Sequence, residues 1–206
     1  RQRQMCIRDS HWTAPTMVTP TIGTDDVLPT DDLIGSFEVA LGHLVHKALA
    51  WLATTQTNAA DLLPNRLESW SAQLDVDPTD LPGLVQQAQQ HLECVSSSQY
   101  GQWLLSDHES AQCEWAISGL DHQGQARNAI IDRYFVADQQ RWIIDYKTAT
   151  PNHESQSKEQ FLQEQRERYR PQLERYRQLV TQLHFDDPLP IRAALYFTGL
   201  GELHEQ

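Results

Sequence analysis

"RNAIIDRYFVADQQRWIIDYKT", residues Arg127–Thr148, decides how the chain is read. Two runs rich in β-branched and aromatic residues, RNAIIDRYFV (Arg127–Val136) and RWIIDYKT (Arg141–Thr148), flank the polar turn-former ADQQ. The pattern predicts two antiparallel strands of a β-meander. Each strand carries charge that a purely structural core strand would not need: Asp132 in the first, Asp145 and Lys147 in the second. Side chains alternate across a strand, so Asp145 and Lys147 at i and i+2 share a face, while Ile144 and Tyr146 take the other. A loop of two or four residues centred between Asp138 and Gln139 sets Asp132 directly opposite Asp145. Carboxylates whose Cβ atoms lie ~4.5–5.5 Å apart repel unless a cation sits between them, and a hard divalent ion with oxygen ligands, above all Mg²⁺, removes that conflict. A three- or five-residue loop would shift the register by one and break the pairing. On spacing alone, Asp145–Lys147 and Asp132–Arg133 read equally well as ordinary charges on a half-exposed meander.

Working outward, CEWAISG (Cys113–Gly119) and the turn DHQGQ supply a preceding strand. Upstream, Leu41, Leu44, Val45, Ala48, Leu49 and Leu52 recur at helical spacing and predict a helix from about Phe37 to Ala53. Residues 60–103 read as two or three short helices broken at Pro64, DVDPTDLPG and SSSQYG. Downstream, Ser155–Leu183 reads as helix interrupted at Pro171, which can open a second helix as its first residue. Leu173, Tyr176, Leu179, Val180 and Leu183 form the buried stripe of that second helix. PIRAALYFTG (Pro190–Gly199) then suits a covered strand. The order helices, three strands, helix, strand predicts an α/β fold, a mixed central sheet flanked by helices with an αβββαβ core and an extra helical N-terminal part.

The 206 residues suffice for one domain with a real core. No apolar run approaches the ~20 residues of a membrane span, and no secretory signal pattern occurs, so the expected setting is cytosolic. Met5–Ser10, MCIRDS, reads as a translated sequencing adaptor, so residues 1–9 are set aside as an artefact and the natural chain is expected to begin further upstream. Residues 10–35, rich in Thr, Pro and Asp, read as a linker, leaving 36–206 as the domain, with a helical insertion at about 60–105. Without residues 1–9 the formal charge moves from −12 to −14. A chain this acidic cannot hold nucleic acid by bulk attraction to phosphates; it needs a local basic patch, bound metal or another module. Cys94 and Cys113, isolated and outside any C-x-x-C pair, support neither a zinc site nor an iron–sulfur cluster. There is no Ser/His/Asp arrangement, no phosphate-cradling G-x-x-x-x-G-K and no nucleotide fingerprint, so ATP could act only through a part of the protein outside this sequence.

Four elements in order, GHLVH (Gly42–His46), IIDR (Ile130–Arg133), WIIDYKT (Trp142–Thr148) and QLERY (Gln172–Tyr176), resemble the C-terminal nuclease domain of RecB/AddA-type (UvrD-like) helicase–nucleases, a branch of the PD-(D/E)XK superfamily. The likeness runs from about Gly35 to the end and implies a restriction-endonuclease-like fold. It also implies a Mg²⁺-dependent deoxyribonuclease, similar to exodeoxyribonuclease V, with Mn²⁺ as a second option. By this resemblance Asp132 and Asp145 bind metal, and Lys147 of the D-x-K core steers the attacking water. His46 matches the metal-holding histidine of the helix motif, and the backbone carbonyl of Tyr146 completes the shell. Gln172 and Tyr176, at i and i+4 on one helix face, match the Q-x-x-x-Y element that contacts the site or its DNA. Glu114 is matched to an acidic residue behind the metal. His43 competes with His46, and on a helical wheel His46 lies roughly 130° from the centre of the apolar stripe, where a solvent-facing histidine is the plain alternative.

The implied partners are single-stranded DNA delivered by a helicase module and a partner subunit of a helicase–nuclease complex acting in double-strand-break repair, in a bacterial-type cytoplasm. A different class of function, a nuclease-fold scaffold or DNA-binding module without activity, is opposed by the presence together of Asp132, Asp145 and Lys147. The arginines Arg166, Arg168, Arg170, Arg175 and Arg177 alternate with Glu164, Glu167 and Glu174, which predicts a solvated, ion-paired face and weak intrinsic DNA affinity.

Overall fold

The computed structural model describes residues 36–55, 64–121, 123–151, 156–187 and 189–206. The expected adaptor segment 1–9 and linker 10–35 lie outside the described residues. The order is α1 (Ser36–Thr55), α2 (Pro64–Ser71), α3 (Leu81–Ser97), α4 (Gln99–Leu105), β1 (Glu109–Leu120), β2 (Ala126–Ala137), β3 (Gln140–Lys147), α5 (Lys158–Leu183), β4 (Ile191–Phe197) and β5 (Glu202–Glu205). The five strands form one sheet in the order β1-β2-β3-β4-β5, antiparallel except where β4 lies parallel to β3. This is the expected mixed sheet between helices. No described helix is long and apolar enough to cross a membrane.

The β2–β3 hairpin turns on Asp138 and Gln139, both at left-handed φ (51° and 57°), as a two-residue primed turn requires. Its register, from Ala137↔Gln140 to Arg133↔Ile144, is the one in which continuing the ladder by one step sets Asp132 against Asp145. Alternation along β3 then sorts the two faces. Trp142, Ile144 and Tyr146 join Phe135, Ala194 and Tyr196 in a core with the α1 stripe (Leu41, Leu44, Val45, Ala48, Leu49, Leu52) and with Leu84, Ala88, Leu92 and Val95 of α3. Leu44 and Leu49 are fully buried there, and truncating either to Ala would cost about 2–5 kcal/mol. The opposite face is covered by α5, through Phe161 against Phe197 and through Leu179, which closes on Gly119 of β1.

Three sequence expectations are corrected. Leu183, expected in the buried stripe of the last helix, is exposed at the end of α5. Pro171 does not divide the last helix, because α5 is continuous from Lys158 to Leu183. Pro171 and Glu167, whose carbonyl loses its donor there, both lie on the exposed side, where water can replace the missing bond while Tyr169 and Leu173 stay packed. A fifth strand, Glu202–Glu205, also pairs with β4 after a turn through Gly201 (φ 68°); its four half-exposed residues carry too little alternation to be read as a strand.

Candidate active site

The site forms where β2 and β3 part. Their ladder ends at Arg133↔Ile144, and one residue further the Asp132 carboxylate turns inward to accept the Tyr146 backbone N–H on Oδ2 at 2.7 Å. Asp132 thereby replaces a ladder bond with a side-chain bond, and the Tyr146 carbonyl is left to accept from His46 Nε2 at 3.1 Å. The other imidazole nitrogen, Nδ1, lies 3.3 Å from Asp132 Oδ1. His46 comes from α1, on the flank that meets the parting strands, and the exposed His43 does not take part.

On the other side of Asp132 stands Glu114 of β1. The β1–β2 register sets 114 opposite 132, but Glu114 has a left-handed backbone (φ 48°) and the regular pairing is interrupted there between Cys113↔Arg133 and Trp115↔Ile131. A non-glycine residue in that conformation carries strain of about 1 kcal/mol or more. Its carboxylate reaches a group with His46 and Asp132 in which one ligand atom from each lies within 4.8 Å of the others. Asp145 stands outside that group. Its Oδ2 is 2.6 Å from Lys147 Nζ and has no other polar partner among the described residues. Asp145 and Lys147 do share a face of β3, and the row Glu114, Asp132, Asp145 runs across three adjacent strands.

The electrostatics follow from burial and charge. Burial by itself would lower the pKa of His46, but the charge and hydrogen bond of Asp132, helped by Asp145, outweigh it and raise the value from 6.5 to about 9. For Asp132 burial pushes upward, and His46, the Tyr146 N–H and Lys147 pull the carboxyl below its ordinary range. Asp145 goes the other way: burial and the Asp132 charge raise it despite Lys147. Lys147, which burial would deprotonate, is held above the ordinary lysine value by Asp145 first and by the charge of Tyr169 next, so its ammonium is charged at neutral pH. Glu114 at the rim is raised by desolvation and by Asp132, against the pull of His46.

Tyr169 was not predicted from the sequence. Its ring centroid is 3.7 Å from Lys147 Nζ, a cation–π contact that fixes the ammonium over Asp145. A signal was present, since Tyr169 continues the Leu173–Tyr176–Val180 stripe one turn towards the N-terminus, but reading Pro171 as a boundary cut the stripe short. Gln172 and Tyr176 do share a face of α5: Gln172 Nε2 donates to the Tyr176 hydroxyl at 2.7 Å, and Tyr176 is buried. Behind β3, the fully buried Thr198 donates its N–H and its hydroxyl to the Lys147 carbonyl (2.9 and 3.2 Å) and is itself held by His91 Nδ1 at 2.8 Å.

Two carboxylates and an imidazole nitrogen form a donor set suited to a divalent cation, and the low Asp132 pKa keeps its carboxylate ionised to serve. His46, Glu114 and Asp132 are the residues that would hold such an ion, His46 giving up its proton to do so, while the Tyr146 carbonyl is taken by His46 Nε2. No curated protein sequence matches the chain. A family model matches residues 25–205, nearly the whole length, and that model describes the PD-(D/E)XK nuclease superfamily, whose members are typically metal-dependent nucleases. With the aspartate and the D-x-K pair on adjacent strands of a mixed sheet between helices, the chain belongs to the PD-(D/E)XK nuclease superfamily.

Proposed function

We propose that the chain is the Mg²⁺-dependent deoxyribonuclease domain of a RecB/AddA-type helicase–nuclease, cutting single strands that a helicase module feeds to it during double-strand-break processing. The observation that carries the nuclease part of this reading is the grouping of His46, Glu114 and Asp132 as possible ligands, with the Asp145–Lys147 pair on the adjacent strand. The ordered likeness of GHLVH, IIDR, WIIDYKT and QLERY supports the helicase-associated branch. The acidic balance of the chain, −12 overall, supports delivery of the strand by another module in place of tight capture.

Hydrolysis of a phosphodiester drives a water at phosphorus while negative charge grows on the phosphoryl oxygens. A divalent ion held by His46, Glu114 and Asp132 would supply acidification of that water and would take up part of the charge. Lys147, charged and pinned between Asp145 and the Tyr169 ring, orients the water or contacts a phosphoryl oxygen. Asp132, held by the Tyr146 N–H and His46, keeps its carboxylate in a single orientation. Gln172 and Tyr176, joined by a hydrogen bond on α5, orient the strand.

The test is incubation of labelled single-stranded DNA with the chain, with and without Mg²⁺, beside Lys147→Ala and Asp145→Ala. Metal-dependent cleavage lost in both variants is the expected result. Absence of cleavage by the wild type, or equal cleavage by the variants, would leave a nuclease-fold scaffold instead.

A further inference from the structure

Lys47 and Arg66 converge on a pair of tryptophans. The Lys47 ammonium lies 5.2 Å from the Trp70 ring centroid, and the Arg66 guanidinium lies 4.7 Å from Trp51 and 5.9 Å from Trp70. The two indoles stand edge to face at 6.4 Å. Both cations are exposed, while both rings are half-buried and rooted in the α1–α3 core, so the rings are rigid and the charges accessible. Among the described residues neither cation has a carboxylate partner. That contrasts with α5, where Arg177 pairs with Glu174.

We propose that this face of α1 and α2, formed by Lys47, Trp51, Arg66 and Trp70, is a track for single-stranded nucleic acid leading to the candidate site; the proposal rests on the nuclease reading above. Two like charges brought to one indole repel, and a phosphate between them would relieve the repulsion. In a chain with net charge −12, such a patch is the local exception that phosphate binding needs. Cations tracking a backbone beside aromatic faces that accept unpaired bases are the ingredients of sequence-tolerant single-strand binding. A duplex keeps its base faces stacked on one another, so the rings favour a single strand. Lys47 follows His46 about 100° further round α1, and Trp51 lies five residues beyond His46, about 7.5 Å along the helix axis and about 140° round it, so the strand would reach the site by passing round α1.

The test measures binding of a short fluorescent oligothymidylate to the full chain in EDTA, by anisotropy at micromolar protein, across a salt series. Lys47→Glu and Arg66→Glu, both at exposed positions, are compared with Arg170→Glu, the same charge change on α5. The expected result is a loss of about tenfold in affinity and a shallower salt dependence for the first two, with a clearly smaller effect at Arg170. Trp70→Leu, checked for folding by circular dichroism, should weaken binding comparably and reduce the quenching of tryptophan fluorescence by the oligonucleotide. No binding by the wild type, unchanged binding in both reversals, or an equal loss in Arg170→Glu would overturn the track. If the losses appear as expected but the wild type cleaves nothing with Mg²⁺ or Mn²⁺, the track stands and the nuclease reading falls. Cleavage of the oligonucleotide that neither reversal alters, in binding or in rate, does the opposite.

Discussion

At its N-terminal end β3 buries Arg141, and at its C-terminal end it buries Asp145 beside Lys147. Arg141 donates to the Tyr134 hydroxyl at 2.7 Å and to the backbone carbonyl and carboxylate of Asp187, while Tyr134 stacks on His184. One cation there meets one anion, and the surplus bonds go to neutral groups. At the far end three carboxylates, Glu114, Asp132 and Asp145, face one ammonium and one imidazole. The same strand, in the same sheet, thus carries one neutralised network and one left short of positive charge. The contrast separates a structural ion pair from a site prepared for a cation, a distinction that burial of charge by itself does not make.

Substitutions at the two ends should differ in what they do to the chemistry. The largest effect is expected at Lys147→Ala, where the hydrolytic rate of the folded fraction on single-stranded DNA should fall by about 10²–10³-fold, alongside a loss of stability from leaving Asp145 unpaired; a fall below tenfold would remove Lys147 from the chemistry. Arg141→Ala should cost stability alone. It strips Tyr134 and Asp187 of a partner and should lower unfolding free energy by about 2 kcal/mol, with the specific activity of the folded fraction intact. Tyr169→Leu should lower the rate severalfold, leave Mn²⁺ affinity where it was, and be rescued by Tyr169→Phe, since the ring face and not the hydroxyl meets the ammonium. Glu114→Gly relieves a left-handed backbone and a repulsion with Asp132. It should raise metal-free stability by about 0.5–1 kcal/mol while weakening Mn²⁺ binding measured by calorimetry.

The smallest effect concerns acid. Burial holds the His91 pKa below its ordinary value of 6.5, so under acidic conditions the unfolded chain binds the proton more readily than the folded one. The stability associated with His91 is full above about pH 6.5 and declines as pH falls towards the depressed folded value. Denaturation at about pH 7.5 and about pH 5.5 should therefore show a larger drop for the wild type than for His91→Gln. An equal drop would remove His91 as its cause.

Much of this arrangement was legible because it follows from strand periodicity and one turn. ADQQ between two β-branched runs gives the hairpin, the hairpin gives the register, and the register brings Asp132 and Asp145 to adjacent strands. The apolar repeat of α1 was equally plain, but the place of His46 was not. A helical wheel gives the direction of a residue from its own helix and says nothing of where neighbouring strands diverge. The bond from Tyr146 N–H to Asp132 at that divergence puts a side chain in place of a ladder partner, which strand periodicity does not encode. Glu114 could be suspected by resemblance alone, because its approach depends on a left-handed backbone that alternation would not anticipate. Pro171 misled for the converse reason: a local rule against proline in helices gave way to a helix anchored along its other side by tertiary packing.

The turn at Asp138 and Gln139 has a further consequence for how this protein can change over time. Elsewhere on the surface a loop can gain or lose a codon with little harm, but here the connection acts as a vernier. A single inserted residue would swing Asp145 and Lys147 through the sheet to the side of α1, and send Ile144 and Tyr146 out towards α5. Lineages that keep the chemistry must therefore hold this link at fixed length, with residues that tolerate a left-handed backbone.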